Sequence, residues 1–232
     1  MYHEVQSALK RLGFHPGPVD GIPGRRTIRA IRNFQRILGL RPDGVIGPDT
    51  ADVLFGGAPP AALNGFAGLG TPWLAEAWRL RDVKEAPGAA DNPTITGWAA
   101  DLHLGSFPDS TPWCGLFVSH CVASQLPDEP LPRLPMRARS WAGFGRSCRP
   151  QPGAVAVFWR ESPAAETGHV GFYFGEDDAA YHILGGNQGD RVSVARIARD
   201  RLISTRWPIS VPEPTGRPLK VSAAGELSRS ER

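Results

Sequence analysis

Three cysteines among 232 residues are too few, and one too odd, to form a disulfide framework. Cys114 and Cys121 would stand about two helical turns apart, roughly 10 Å, which a disulfide does not span. Cys121 reads as helix core, and Cys148 in its arginine-flanked loop has no assigned role. No spacing of Cys or His resembles a zinc site, so neither a metal nor another cofactor is expected. Long apolar runs are also missing. None approaches the roughly 18 residues that cross a bilayer, and membrane insertion is not expected. The opening residues, Met1-Tyr2-His3-Glu4-Val5-Gln6-Ser7, lack a basic stretch followed by an apolar core. The sequence therefore reads as made in the cytoplasm without a secretory signal, needing some other exit for work outside. Charge of one sign is scarce as well: 26 Lys and Arg stand against 23 Asp and Glu, a net of +3. The basic cluster Arg25, Arg26, Arg29, Arg32 and Arg36 has no aromatic residues interleaved in nucleic-acid fashion, so a solvated helix face is the expectation and nucleic acid is not an expected partner.

Glycine and proline are plentiful instead, at 27 and 23, which implies long loops between short helices. In the N-terminal part, Val5, Ala8, Leu9 and Leu12 recur at helical spacing, with Gly13 as the expected end. Ile28, Ile31, Phe34, Gln35 and Leu38 repeat that pattern up to Gly39, and 51–55 predicts a third, shorter helix. Between the helices one turn occurs twice, Val19-Asp20-Gly21-Ile22-Pro23-Gly24 and Pro42-Asp43-Gly44-Val45-Ile46-Gly47. Each is followed by a threonine, Thr27 or Thr50, able to open a helix. Asp-Gly pairs supply the positive φ such turns require. Ile22 and Ile46 are expected to plug into the core. A unit of this size, below ~60 residues, is marginally stable and must pack its three helices tightly.

These residues resemble the peptidoglycan-binding domain found beside many cell-wall hydrolases, through Val5-Gln6-Ser7-Ala8-Leu9, Leu12-Gly13-Phe14, Pro18 to Ile22, Phe34-Gln35 and Asp43 to Thr50. The resemblance implies a wall-binding role, carried at Asp20, Gly21, Asp43 and Gly44. Residues 1–56 are assigned to this domain and 57–71, rich in Gly, Ala and Pro, to a linker. A catalytic domain over 72–210 opens on a helix bearing Trp73, Ala77, Trp78 and Leu80, and 211–232 reads as a loose tail.

In the second domain, Asp109 or Ser110 suits an N-cap, Pro112 the first turn, and Phe117, Val118, Cys121 and Val122 a helical face. Cys114 then falls at a helix start, where unpaired N–H groups and the dipole favour a thiolate. His169 precedes the apolar strand Val170 to Phe174, and a hairpin through Glu176-Asp177-Asp178 returns along Ala180 to Leu184 into Gly185-Gly186-Asn187. A cysteine, a histidine and an amide in that order is the layout of a papain-like nucleophile site. Cys114 is the candidate nucleophile, His169 the base, and Asn187 either the group orienting the ring or a left-handed turn residue. The backbone N–H of Cys114 is a candidate oxyanion donor. His182 is a competing base but reads as structural, His120 points to another helix face, and His103 stays undecided. Pro152 to Trp159 predicts a turn followed by a buried strand. Trp98, Trp113, Trp141 and Trp159 suit either a substrate groove or core packing.

Glu85 to Gly88, Asn92-Pro93, Trp113-Cys114, Ser140-Trp141, Pro152 to Trp159, Gly168 to Gly171 and Gly185 to Gly189 together resemble the CHAP-type amidohydrolase/peptidase family, in its phage-associated branch. The resemblance implies an α+β fold: a small three-helix domain beside a papain-like (CHAP/NlpC-type) domain with a Cys-bearing helix packed on an antiparallel sheet. It implies cleavage of a peptidoglycan amide bond through Cys114, His169 and Asn187, with Trp113, Trp98, Trp141 and Gln188 contacting substrate. It further implies a monomeric endolysin acting at the wall after holin-type release or dedicated secretion. The family often carries an acid two residues before the amide, where this chain has Gly185. A silent wall-binding protein and a cysteine hydrolase acting on another amide are the rival readings.

Overall fold

The computed structural model describes residues 2–11, 16–37, 40–55, 70–81, 83–88, 90–212 and 227–228. The expected helix ends at Gly13 and Gly39, most of the expected linker and most of the expected tail lie outside the described residues. The chain divides into two compact units, Met1–Arg79 and Leu80–Arg232.

The first unit contains α1 (Tyr2–Arg11), α2 (Arg25–Ile37) and α3 (Pro48–Phe55). Their periodic apolar residues meet in one core of Val5, Ala8, Leu9, Ala30, Ile31, Phe34 and Leu54, with Ile46 packed at its edge. A fourth helix, α4 (Pro72–Arg79), ends this unit, whereas the sequence pattern assigned it to the second domain.

The two turns are built alike, each around a buried glutamine. Gln6 Nε2 donates to Asp20 Oδ1 (3.0 Å), the Ile22 carbonyl (3.0 Å) and Thr27 Oγ1 (3.1 Å), while its Oε1 accepts the Gly21 N–H (2.8 Å). Gln35 repeats this with Asp43 Oδ1 (2.9 Å), the Val45 carbonyl (2.8 Å), Thr50 Oγ1 (3.2 Å) and the Gly44 N–H (2.8 Å). At Gly44, with φ +80°, a Cβ would lie 2.9 Å from Ile28 Cγ2, so only glycine fits. The turns send Ile22 (66% exposed) and Val45 (60% exposed) outward. The expectation that Ile22 plugs the core therefore fails, because Gln6 fills that interior position by bonding the turn's backbone.

The second unit carries α5 (Pro93–Asp101), α6 (Cys114–Gln125) and strands β1 (Arg146–Ser147), β2 (Val155–Trp159), β3 (Gly168–Glu176), β4 (Ala180–Gly185), β5 (Ser193–Ala198) and β6 (Leu202–Trp207). The strands form one antiparallel sheet in the order β1-β6-β2-β3-β4-β5. Asn92 caps α5 by accepting the Thr94 N–H at 2.8 Å, and Pro93 occupies the first turn. Helix α6 is buried along most of its length and packs on β3, where Phe117 meets Phe172 at 6.2 Å. A Cβ at Gly115 would lie 2.4 Å from the Met136 carbonyl, so the start of α6 can sit tight against that crossing segment. The expected tail is partly anchored. Val211 is buried, with its carbonyl accepting from Trp207 Nε1 at 3.1 Å, and Leu227 bridges to Arg196 on the edge strand β5.

Candidate active site

Cys114 is the first residue of α6, and Trp113 stands at the cap without a side-chain cap bond. Asp109 does not cap this helix. Its carboxylate accepts the N–H groups of Ala86 (2.7 Å) and Asn92 (2.8 Å), tying a preceding loop to the turn before Cys114. The backbone N–H groups of Val170, next in chain to His169, of Gly115 and of Cys114 itself act to favour the anion of the Cys114 sulfur. The residue is 7% exposed. Burial pushes the thiol pKa up, and these N–H groups with the charge of Arg160 pull it only partly back. The backbone N–H groups at the helix start act toward the thiolate, and desolvation acts against it more strongly.

His169 is buried on β3, and its Nε2 lies 2.9 Å from Gln188 Oε1. The Gln188 amide is oriented by its own donors, since Nε2 reaches the carbonyls of Ile183 (3.2 Å) and Ser193. Its oxygen therefore faces the imidazole as acceptor and Nε2 carries a hydrogen, which in a neutral ring places the lone pair on Nδ1. Gly185 makes this pairing possible: a Cβ there would lie 2.9 Å from Gln188 Oε1 and 3.1 Å from His169 Nε2. At Gly186 a Cβ would lie 2.5 Å from the Trp113 ring and 2.6 Å from Phe117 Cβ, so the segment after β4 presses against the start of α6.

The carboxamide at the ring is thus that of Gln188, expected to contact substrate, and not that of Asn187. Asn187 adopts the left-handed conformation (φ +56°), is buried, and its Oδ1 has no hydrogen-bond partner. Of its two sequence readings, the turn residue describes its backbone. The one-residue difference arises because the positive φ turns Asn187 out of the strand's alternation and brings the next side chain to the ring.

Cys114 opens onto a cavity of about 650 Å³, whose walls include Pro112, Met136, Arg137, Arg139, Arg160 and Gly168. Arg139 fixes one wall by donating to the carbonyls of Thr167 (3.1 Å), Pro163 (3.1 Å) and Ala165. No tryptophan is among the lining residues. Trp113 is buried with Nε1 on Glu85 Oε1 (2.8 Å), and Trp141 is buried with Nε1 on the Pro135 carbonyl (2.8 Å). Trp98 packs on Trp113 and stacks on His120, with ring centroids 5.1 Å apart in the latter pair. These three tryptophans, of the four residues expected to contact substrate, are core: the indole N–H groups of Trp113 and Trp141 have acceptors, and Trp98 packs against aromatic rings.

His182 is engaged elsewhere: its Nε2 lies 2.6 Å from Asp177 Oδ2, an oxygen also held by Arg196 Nε at 2.9 Å. In the first unit, the Asp20 and Asp43 carboxylates are occupied inside their turns, each also accepting a backbone N–H at 2.9 Å from Ile22 or Val45. The residues expected to hold the wall therefore shape the turns. The arginines lining the cavity went unmarked in the sequence, because nothing local distinguishes them from other scattered arginines.

Residues 2–54 match the family described as "Putative peptidoglycan binding domain". Spore cortex-lytic enzymes of Bacillus cereus and Oceanobacillus iheyensis are 49% and 45% identical over 51 residues, 22% of this chain and 20% and 18% of theirs. The N-acetylmuramoyl-L-alanine amidase CwlM of Mycobacterium tuberculosis is 41% identical over 64 residues, 25% of this chain and 16% of its own length. The chain thus spans a fifth or less of the length of these relatives. No solved structure matches it.

Proposed function

We propose that the protein is a peptidoglycan hydrolase in which the first unit holds the wall and the second cleaves an amide bond with Cys114. The family match of residues 2–54 and the wall-lytic names of the relatives support the substrate. The observation that carries the chemistry is the meeting of the α6 start with the start of β3 and the Gly185–Gln188 segment. In this reading, His169 Nδ1 takes the thiol proton and the sulfur attacks the amide carbon. The backbone N–H at the helix start stabilises the oxyanion. His169 then protonates the departing amine, and water activated by the same ring hydrolyses the thioester and restores the thiol. Gln188 keeps Nε2–H bonded, so that Nδ1 stays the basic nitrogen. Asn187, the sequence candidate for that role, remains in the proposal as a turn residue beside it. The CHAP/NlpC-type kinship of the second unit and an endolysin role belong to the same reading, since both follow from the resemblance of its motifs.

Zymography on purified wall tests it. Cys114→Ser and Cys114→Ala should abolish clearing while wall pull-down persists, and surviving clearing would end the cysteine mechanism. A second reading, wall binding without hydrolysis, draws support from the burial of Cys114. It predicts no clearing by the parent chain and no new amine or lactyl ends in the digested wall.

A further inference from the structure

The cavity at Cys114 is strongly one-sided in charge. Arg137, Arg139 and Arg160 line it, against the single carboxylate of Glu166. The three guanidiniums do different things. Arg139 is committed to the carbonyls of the loop between β2 and β3 and serves to hold that wall in place. Arg137 reaches Glu166 only at 3.5 Å, with side chains 66% and 89% exposed, a pair that solvent screens to little and that an incoming anion can replace. Arg160 follows the last residue of β2 and is half-buried, and its charge is felt at the sulfur itself. A cavity of about 650 Å³ holds a short peptide and not a bare ion. Guanidinium groups match carboxylates in planar geometry and pair with them more strongly than with neutral amides.

We propose that Arg160, assisted by Arg137, forms a carboxylate subsite beside Cys114, so that the enzyme selects stem peptides whose free carboxylate lies close to the scissile amide. This rests on the hydrolase reading and adds to it a substrate class, an anionic peptide, with the residues that choose it. Arg160 and Arg137 are specificity residues that touch the substrate away from the reacting atoms. Glu166 is displaced from Arg137 as a carboxylate enters, and a peptide whose carboxylates are amidated brings no anion to replace it.

The test uses two synthetic stem peptides, one with its carboxylates free and one with all of them amidated. Binding to the full chain carrying Cys114→Ala is measured by calorimetry, and cleavage by the parent chain is measured in parallel. The free acid should bind at least about tenfold tighter than the amide, in line with a charge-assisted hydrogen bond, and the preference should weaken as salt rises. Arg160→Gln should reduce the preference to less than about twofold, and Arg160→Lys, which keeps the charge but not the fork, should restore part of it. Equal binding of the two peptides, no binding of either, or a preference that survives Arg160→Gln and Arg137→Gln alike would overturn the subsite. If the preference holds but the parent cleaves neither peptide nor wall, the subsite stands and only the hydrolase reading falls.

Discussion

In the proposed reading Gln188 acts at the scale of one residue: its Oε1, 2.9 Å from His169 Nε2, fixes which imidazole nitrogen carries the hydrogen. Replacing it with alanine removes the acceptor from His169 Nε2 and leaves the ring free to change tautomer. Gln188→Ala should lower kcat by about 10- to 100-fold, in the range of a positioning residue behind a catalytic histidine. KM should change little. Gly185→Ala tests the same contact from the other side, because its methyl would lie against the Gln188 oxygen and the His169 nitrogen. It should depress activity with a melting temperature near that of the parent. Should both variants retain full activity on the wall, the imidazole is held by something else. The places of Cys114 at the start of a helix and of His169 at the start of a strand were legible, because each lies at a boundary marked by proline or glycine. The choice between Asn187 and Gln188 was not legible, since it depends on a left-handed backbone angle that Asn tolerates but does not announce. The tryptophans show the converse difficulty. An aromatic residue beside a reactive cysteine suits groove and core equally until burial is known, and Trp98, Trp113 and Trp141 are all buried.

Among the elements, the hairpin of β3 and β4 was readable from its two apolar runs and the acidic turn between them, but the network built on that turn was not. Asp177 accepts from Ala179 N–H (2.9 Å), Ala180 N–H (3.0 Å), His182 Nε2 (2.6 Å) and Arg196 Nε (2.9 Å), drawing on β4 and β5 together. Arg196 first, and His182 second, hold its pKa well below the ordinary carboxylate range. A carboxylate depressed in the folded state contributes stability that is fully present above its unfolded value, about 3.9, and is lost as pH falls toward the folded value. Asp177→Asn should therefore be less stable than the parent at pH 7, and the gap should narrow once pH drops below about 4. Urea midpoints from pH 7 down to pH 2 measure it, and a gap that stays constant would mean that Asp177 acts through shape alone. The twin turns of the first unit make the same point about range. Their Asp-Gly pairs were visible in the sequence, whereas the glutamines that organise them stand 14 and 8 residues before the aspartates. Local pattern gives the turn, but a buried amide reaching across a helix interface decides which side chain faces inward.

For the molecule as a whole, the proposed activity depends on two units with separate cores, one of them small enough to be removed by a single change. Phe34 is fully buried in the core of the first unit, where α1, α2 and α3 meet. Phe34→Ala should cost about 3–5 kcal/mol there, since a large side chain is deleted from a tightly packed site. That is a large fraction of the total stability expected of a unit as small as Met1–Arg79, so the first unit should lose its fold while the second, with its own sheet and helix core, keeps its own. Tethering raises the local concentration of the catalytic unit at a polymeric surface without altering its chemistry toward a small diffusing substrate. The full-length Phe34→Ala chain should therefore lose wall pull-down and clear intact wall about 10- to 100-fold more slowly, the lower range of what multivalent attachment supplies. Its kcat/KM on a soluble stem peptide should match the parent's within about twofold, because nothing in the Cys114 site draws on the Phe34 core. Equal clearing of intact wall by both chains would show that the first unit does not deliver the enzyme. A parallel loss on the soluble peptide would show instead that the second unit cannot work without the first.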